Sequence, residues 1–326
     1  MPALLCVSAQ EKENRKPNIK IHTIKRIQVN FMSEHTPAER NSVPFPRSGP
    51  LCVLAAALLF SLGGMLVKLV PWHPMAIGAA RSVLAGAILL VYMKLRRHRL
   101  VVNRATLFGG FAMGATSTLY VLATKMTTAA DAILIQYTAP IYIILFMWAF
   151  FRVRPTKIDI GATLLLLCGV VLFFLDSLGG GALVGNLLAV LSGVTWALVF
   201  MMKQWDGADN LSSVFFGCVF GTVVGMPWLL SPAVEWTGGA VLGVLAIGFV
   251  QFGAAYVFMA EGLTSTPPLT ASLISMIEPI LNPIWVALIV HETIGPLSLA
   301  GALIVVIGVI GYNVLKAREE HAKGNR

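Results

Sequence analysis

Ten runs of about twenty apolar residues, the length that crosses the hydrocarbon core of a bilayer, follow one another through this 326-residue chain. They fall near residues 51–70, 74–95, 107–125, 129–151, 158–176, 183–203, 211–231, 238–260, 267–290 and 296–315. Short stretches punctuate them: Pro71 and Pro74, the basic cluster Lys94 to Arg104, Arg152 to Lys157, the glycines at 179–181, Asp206 to Asn210, Pro232, Pro267 with Pro268, and Pro296. Such runs are about twice the length of a barrel strand and lack its period-2 alternation. The expectation is an all-α integral membrane protein with ten transmembrane helices. Charged residues form only 12% of the chain, against roughly a quarter in water-soluble domains, so a water-facing surface cannot be built.

The net charge of +9 sets topology rather than forming a basic face that tracks phosphates, and no nucleic-acid partner is expected. With the N-terminus inside, cytoplasmic connections hold Lys94, Arg96, Arg97, Arg99, Arg104, Arg152, Arg154, Lys157 and Lys203, and the tail adds Lys316, Arg318, Lys323 and Arg326. The other side holds Lys125, with Lys68 at a helix end. Both termini are therefore expected in the cytoplasm of a multi-pass plasma-membrane protein. Residues 1–50 contain eight Lys or Arg and no spanning run, so they read as a disordered cytoplasmic tail; a start at Met32 is an alternative, and residues 1–31 are expected to be dispensable. Residues 316–326 form the C-terminal tail. Cys6, Cys52, Cys168 and Cys218 have no C-x-x-C spacing, so neither a metal site nor a disulfide framework is indicated, and no cofactor is implied.

A shift of 139 residues aligns Ala132 with Ala271, Leu134 with Leu273, Ile135 with Ile274, Pro140 with Pro279, Gly169 with Gly308 and Val170 with Val309. The ungapped proline and glycine pairs carry most of the weight. They suggest two halves of five helices, residues 51–176 and 183–315. Five is odd, so the second half enters from the opposite side: a 5+5 inverted repeat, a common plan of secondary transporters.

Ionisable residues in mid-bilayer are costly, about 2.5–3.5 kcal/mol on insertion scales. Glu278, halfway along the ninth run, and Arg81, in the second, stand out. Two readings stay open: they face a central polar cavity and contact a zwitterion or a coupling proton, or they fasten helices together. Pro140, Pro279 and Pro283 lie within apolar runs as candidate helix breaks or hinges, each removing a backbone hydrogen bond. Tyr120, Gln136, Tyr137, Trp196, Gln251, Tyr256 and Asn282 are polar or amphipathic residues inside spans; they either line a substrate path or pack.

Four stretches stand out: Ala80-Arg81-Ser82-Val83-Leu84-Ala85, Gln136-Tyr137-Thr138-Ala139-Pro140, Ile277-Glu278-Pro279-Ile280-Leu281, and His291-Glu292 with Gly301-Ala302-Leu303 and Gly308-Val309. Over about residues 51–315 the set resembles the drug/metabolite transporter superfamily, and within it the EamA-type transporters. Arg152-Val153-Arg154 departs from the pattern where a glutamate is usual. The resemblance implies ten helices in a 5+5 inverted arrangement and transport, often export, of metabolites or amino-acid-like compounds. The expected carrier works by alternating access, and a homodimer stays open. Rival functions find less support. No G-x-x-x-x-G-K-[ST], H-E-x-x-H or G-x-S-x-G occurs, so the expectation is not an enzyme. No filter sequence points to a channel, and a scaffold or receptor stays open.

Reporter fusions test the topology. Fusions after residues 72, 180 and 234 should read as external, and those after 100, 155 and 320 as cytoplasmic. A cytoplasmic signal at 180 overturns both the span count and the inverted repeat.

Overall fold

The computed structural model describes residues 48–68, 70–127, 129–175, 183–290 and 296–324. All lie in the unit Phe45–Arg326; the N-terminal tail, the glycines at 179–181 and the His291-Glu292 pair lie outside the described residues. No strand occurs among the described residues. The helices are α1 (Gly49–Phe60), α2 (Gly63–Lys68), α3 (Pro74–Leu95), α4 (Arg104–Met126), α5 (Ala129–Gln136), α6 (Ala139–Phe151), α7 (Lys157–Phe174) and α8 (Leu183–Phe200). After a 3₁₀ turn come α9 (Asn210–Leu229), α10 (Gly238–Leu245), a π-helical stretch (Ala246–Ala254), α11 (Ala255–Gly262), α12 (Pro268–Ser275), α13 (Glu278–Val290) and α14 (Pro296–Gly324).

Seven stretches of the described residues are long and apolar enough to cross a membrane: Pro74–Leu95, Arg104–Ala123, Ala132–Phe151, Leu183–Phe200, Asn210–Leu229, Gly238–Gly262 and Leu299–Glu319. The outward face is apolar; Leu183 is 73% and Phe150 70% exposed. A coat of that kind suits lipid and would be a liability in water. The protein is a multi-pass helical membrane protein. Its helix ends are closed by side chains at the polar punctuation. Asn103 accepts from the Thr106 amide at 2.8 Å and Asp209 from the Ser212 amide at 2.8 Å, while Thr156 and Asp159 form a reciprocal capping box. Each such cap satisfies backbone donors that a helix start leaves without partners.

Three expected spans are not continuous. The first breaks after Phe60, where the Ser61 hydroxyl donates to the Leu58 carbonyl at 2.7 Å and the Gln251 amide to the Phe60 carbonyl at 3.2 Å. Side chains thus take carbonyls that helical amides would otherwise satisfy. The run 129–151 breaks at Tyr137 and Thr138, and the run 267–290 at Met276 and Ile277. Pro140 and Pro279, read as lying within helices, instead sit in the first turn of α6 and α13. A proline has no N–H to donate and its ring clashes with the carbonyl four residues back, so the helix restarts there rather than bending. Pro283 lies on α13, but its side chain and that of Asn282 lie outside the described residues. The eighth span is also not uniformly α-helical, because of its π-helical stretch.

Packing repeats when the halves are exchanged. α4 packs on α8 as α11 packs on α1; α9 packs on α4 as α3 packs on the π-helical stretch; α5 packs on α8 as α12 packs on α1. Two pairs are their own mates, α3 with α9 and α7 with α14. The α7–α14 pair packs backbone against backbone. A Cβ on Gly301 would lie 2.5 Å from the Phe173 nitrogen and 2.6 Å from the Gly169 carbonyl oxygen. At one end of the seam, buried Asp159 accepts from Lys316 Nζ at 2.8 Å and the Tyr312 hydroxyl at 3.0 Å. Tyr312 in turn meets the Thr270 hydroxyl of α12 at 3.3 Å.

Gly301→Val should therefore force the two backbones apart, at a cost of about 1–3 kcal/mol, and lower the melting temperature of the detergent-solubilised protein. Gly161→Ala on α7 is the control, since nothing lies within 4 Å of a Cβ there. Equal melting temperatures for the two variants would show that the seam is not close-packed.

Candidate functional site

The two proline-initiated breaks face one cavity. Tyr137, which follows α5, is buried, and Glu278 is the first residue of α13; both side chains line the same space. Helix starts are electropositive, which favours a carboxylate at this position. In the 139-residue alignment Glu278 corresponds to Ala139, so the acidic group is present in one half only.

The cavity has a volume of about 340 Å³ and walls from both halves. Arg81 on α3 lines it, with its guanidinium 4.1 Å from the centroid of the Phe252 ring, a favourable cation–π distance. Its Nη2 donates to the Ser117 hydroxyl at 2.8 Å; its Nε is buried and meets no acceptor among the described residues. Among the described residues Arg81 and Glu278 form no ion pair. Two opposite charges therefore line one cavity without neutralising each other by contact.

The remaining wall is aromatic with a few amides. Phe60, Phe252 and Tyr256 form an edge-on cluster, with centroids 4.9 Å apart for Phe60 and Tyr256 and 4.4 Å for Phe252 and Tyr256. Trp196 lines the same space and packs edge-on against Phe200 at 4.8 Å. Gln136 donates to the Ser192 hydroxyl at 2.7 Å, and that hydroxyl donates to the Thr116 carbonyl at 3.2 Å. Gln251 lies in the π-helical stretch, a geometry that recurs at functional sites. Gly63 lets it reach the first helix break, since a Cβ there would stand 2.8 Å from Gln251 Nε2.

The structure thus brings Arg81, Glu278, Tyr120, Gln136, Tyr137, Trp196, Gln251, Tyr256 and Pro279 to one cavity. Pro140 is buried near it without appearing in its lining. Sequence reasoning missed Phe60, Thr116, Ser117 and Phe252. Ser117 was legible one helical turn before Tyr120, and Phe252 as the neighbour of Gln251.

Comparisons with known proteins agree with this architecture. The model of the EamA-like transporter family matches twice, at residues 47–175 and 183–314. The chain is similar to the uncharacterized transporter YwfM of Bacillus subtilis (27% identity; 84% of this chain, 96% of the relative). It is also similar to the threonine/homoserine exporter RhtA of Escherichia coli K12 (24%; 84% and 94%) and to human solute carrier family 35 member G1 (24%; 87% and 84%). A solved crystal structure shares the fold with a TM-score of 0.73 at 19% identity, over 82% of this chain and 97% of that one. Two matches that together span most of the chain, and divide it where the helices divide into halves, leave one conclusion: the chain belongs to the EamA-like transporter family.

Proposed function

We propose that this transporter is a secondary carrier that exports a small zwitterionic, amino-acid-like metabolite across the plasma membrane. It does so with ten spans in a 5+5 inverted repeat, and with both termini cytoplasmic. The observation that carries the reading is the pair of unneutralised opposite charges, Arg81 and Glu278, on one cavity between the halves. A zwitterion satisfies both: its carboxylate takes the guanidinium and its ammonium the Glu278 carboxylate, each a charge-assisted hydrogen bond. A cavity of about 340 Å³ with aromatic walls is at the small end of ligand sites, which suits an amino acid. The name of the Escherichia coli relative, a threonine/homoserine exporter, points the same way.

Val67, Pro74, Tyr120 and Ile133 line the cavity and lie toward the helix ends that the charge pattern assigns to the outside. The cavity then opens outward, while α6 and α12, the halves expected on the cytoplasmic side, pack together. Alternating access exchanges these two arrangements. Glu278 is also the group that can carry a coupling proton when the substrate amine has left.

Glu278→Gln keeps the size and shape of the side chain but removes the charge. In vesicles containing only this protein it should lower amino-acid transport efficiency about 10- to 100-fold, the worth of a charge-assisted hydrogen bond, with abundance unchanged. Arg81→Gln should do the same chiefly through KM. With no contact between the two charges, the double neutral variant should recover neither loss. Full transport by Glu278→Gln, or recovery in the double variant, would retire the pair as a substrate site.

A further inference from the structure

Gln251 is 5% exposed and stands on the cavity wall. Its amide has a donor end and an acceptor end. The donor end is committed, because Nε2 donates to the carbonyl of Phe60 at 3.2 Å. The opposite amide orientation would set two oxygens against each other, so that bond fixes which end is which. The acceptor end is not committed. Oε1 is buried and meets no donor among the described residues, and a buried acceptor is costly to leave in that state.

The surroundings say what chemistry is missing. The Arg81 guanidinium lies over the ring of the adjoining residue, Phe252, and a cationic group already has the Glu278 carboxylate to meet on the same cavity. The missing donor is therefore neutral. A carboxamide would bring a second polar end among the rings of Phe60, Phe252 and Tyr256, where a further donor would be needed to satisfy it. A hydroxyl brings one O–H and little bulk.

We infer that Gln251 is a specificity-determining residue: it accepts a hydrogen bond from a hydroxyl on the substrate side chain, so that the carrier selects hydroxy amino acids over their methyl isosteres. The inference rests on the amino-acid reading proposed above. In that reading Arg81 and Glu278 hold the groups common to every amino acid, and Gln251 reads the part that differs. Sites built to pair a substrate hydroxyl discriminate strongly against analogues without it, because the site's own polar group is then left unmet.

The test uses purified full-length protein and the fluorescence of its tryptophans, of which Trp196 lines the cavity. Two pairs of ligands serve as probes: L-threonine with L-valine, and L-serine with L-2-aminobutyrate. In each pair a methyl replaces a hydroxyl. The wild type should bind the hydroxy member about tenfold more tightly or better in both pairs. Gln251→Met keeps the bulk and removes the acceptor. It should bring the ratio close to one by weakening the hydroxy members, while valine binding persists and reports an intact site. Equal affinities within the pairs, or a preference for the methyl members, overturn the inference and leave the amino-acid reading standing. An unchanged ratio in Gln251→Met also overturns it. No binding of any of the four ligands overturns the amino-acid reading and this inference together. The wild-type ratio decides by itself if the variant does not fold.

Discussion

Breaking a helix inside a membrane leaves backbone groups that no water can satisfy, and the centre of this protein contains such breaks in both halves. Tyr137 and Glu278, one at each of two such breaks, line the same cavity. At the first break Ser61 and Gln251 supply donors to carbonyls that α1 no longer covers. Polar side chains around the cavity thus support the backbone as well as lining the space between the halves.

The distribution of charge follows from that arrangement. An arginine in lipid is costly, and Arg81 is sheltered by the Phe252 ring and Ser117 rather than by a carboxylate. A direct ion pair would have neutralised that charge. Aromatic shelter stabilises the cation while leaving its charge available.

Much of the helical layout was legible in the sequence, because apolar runs are long and their punctuation is polar or basic. Arg81 and Glu278 were legible for an energetic reason: each is an ionisable group in a stretch otherwise suited to lipid. The breaks were harder to see. Within a continuous apolar run, a proline that kinks a helix and one that starts a new helix look alike; the difference lies in whether partners exist for the freed carbonyls, and those partners are remote in sequence. The π-helical register around Gln251 was hidden for a similar reason. It changes the turn by one residue and leaves composition untouched. Ser117 and Phe252 carry no charge to mark them; their places beside Tyr120 and Gln251 were the available signal, and their contacts with Arg81 come from the fold.

The seam between α7 and α14 also bears on how such a molecule can move. In a carrier that works by trading the conformations of its halves, most helix contacts must be given up and rebuilt elsewhere. A contact that is its own mate under the exchange has no such obligation. With the backbones touching at Gly169 and Gly301, and Asp159 holding Lys316 and Tyr312 at one end, this pair would serve such a carrier as an axle, a joint that stays made while the halves turn.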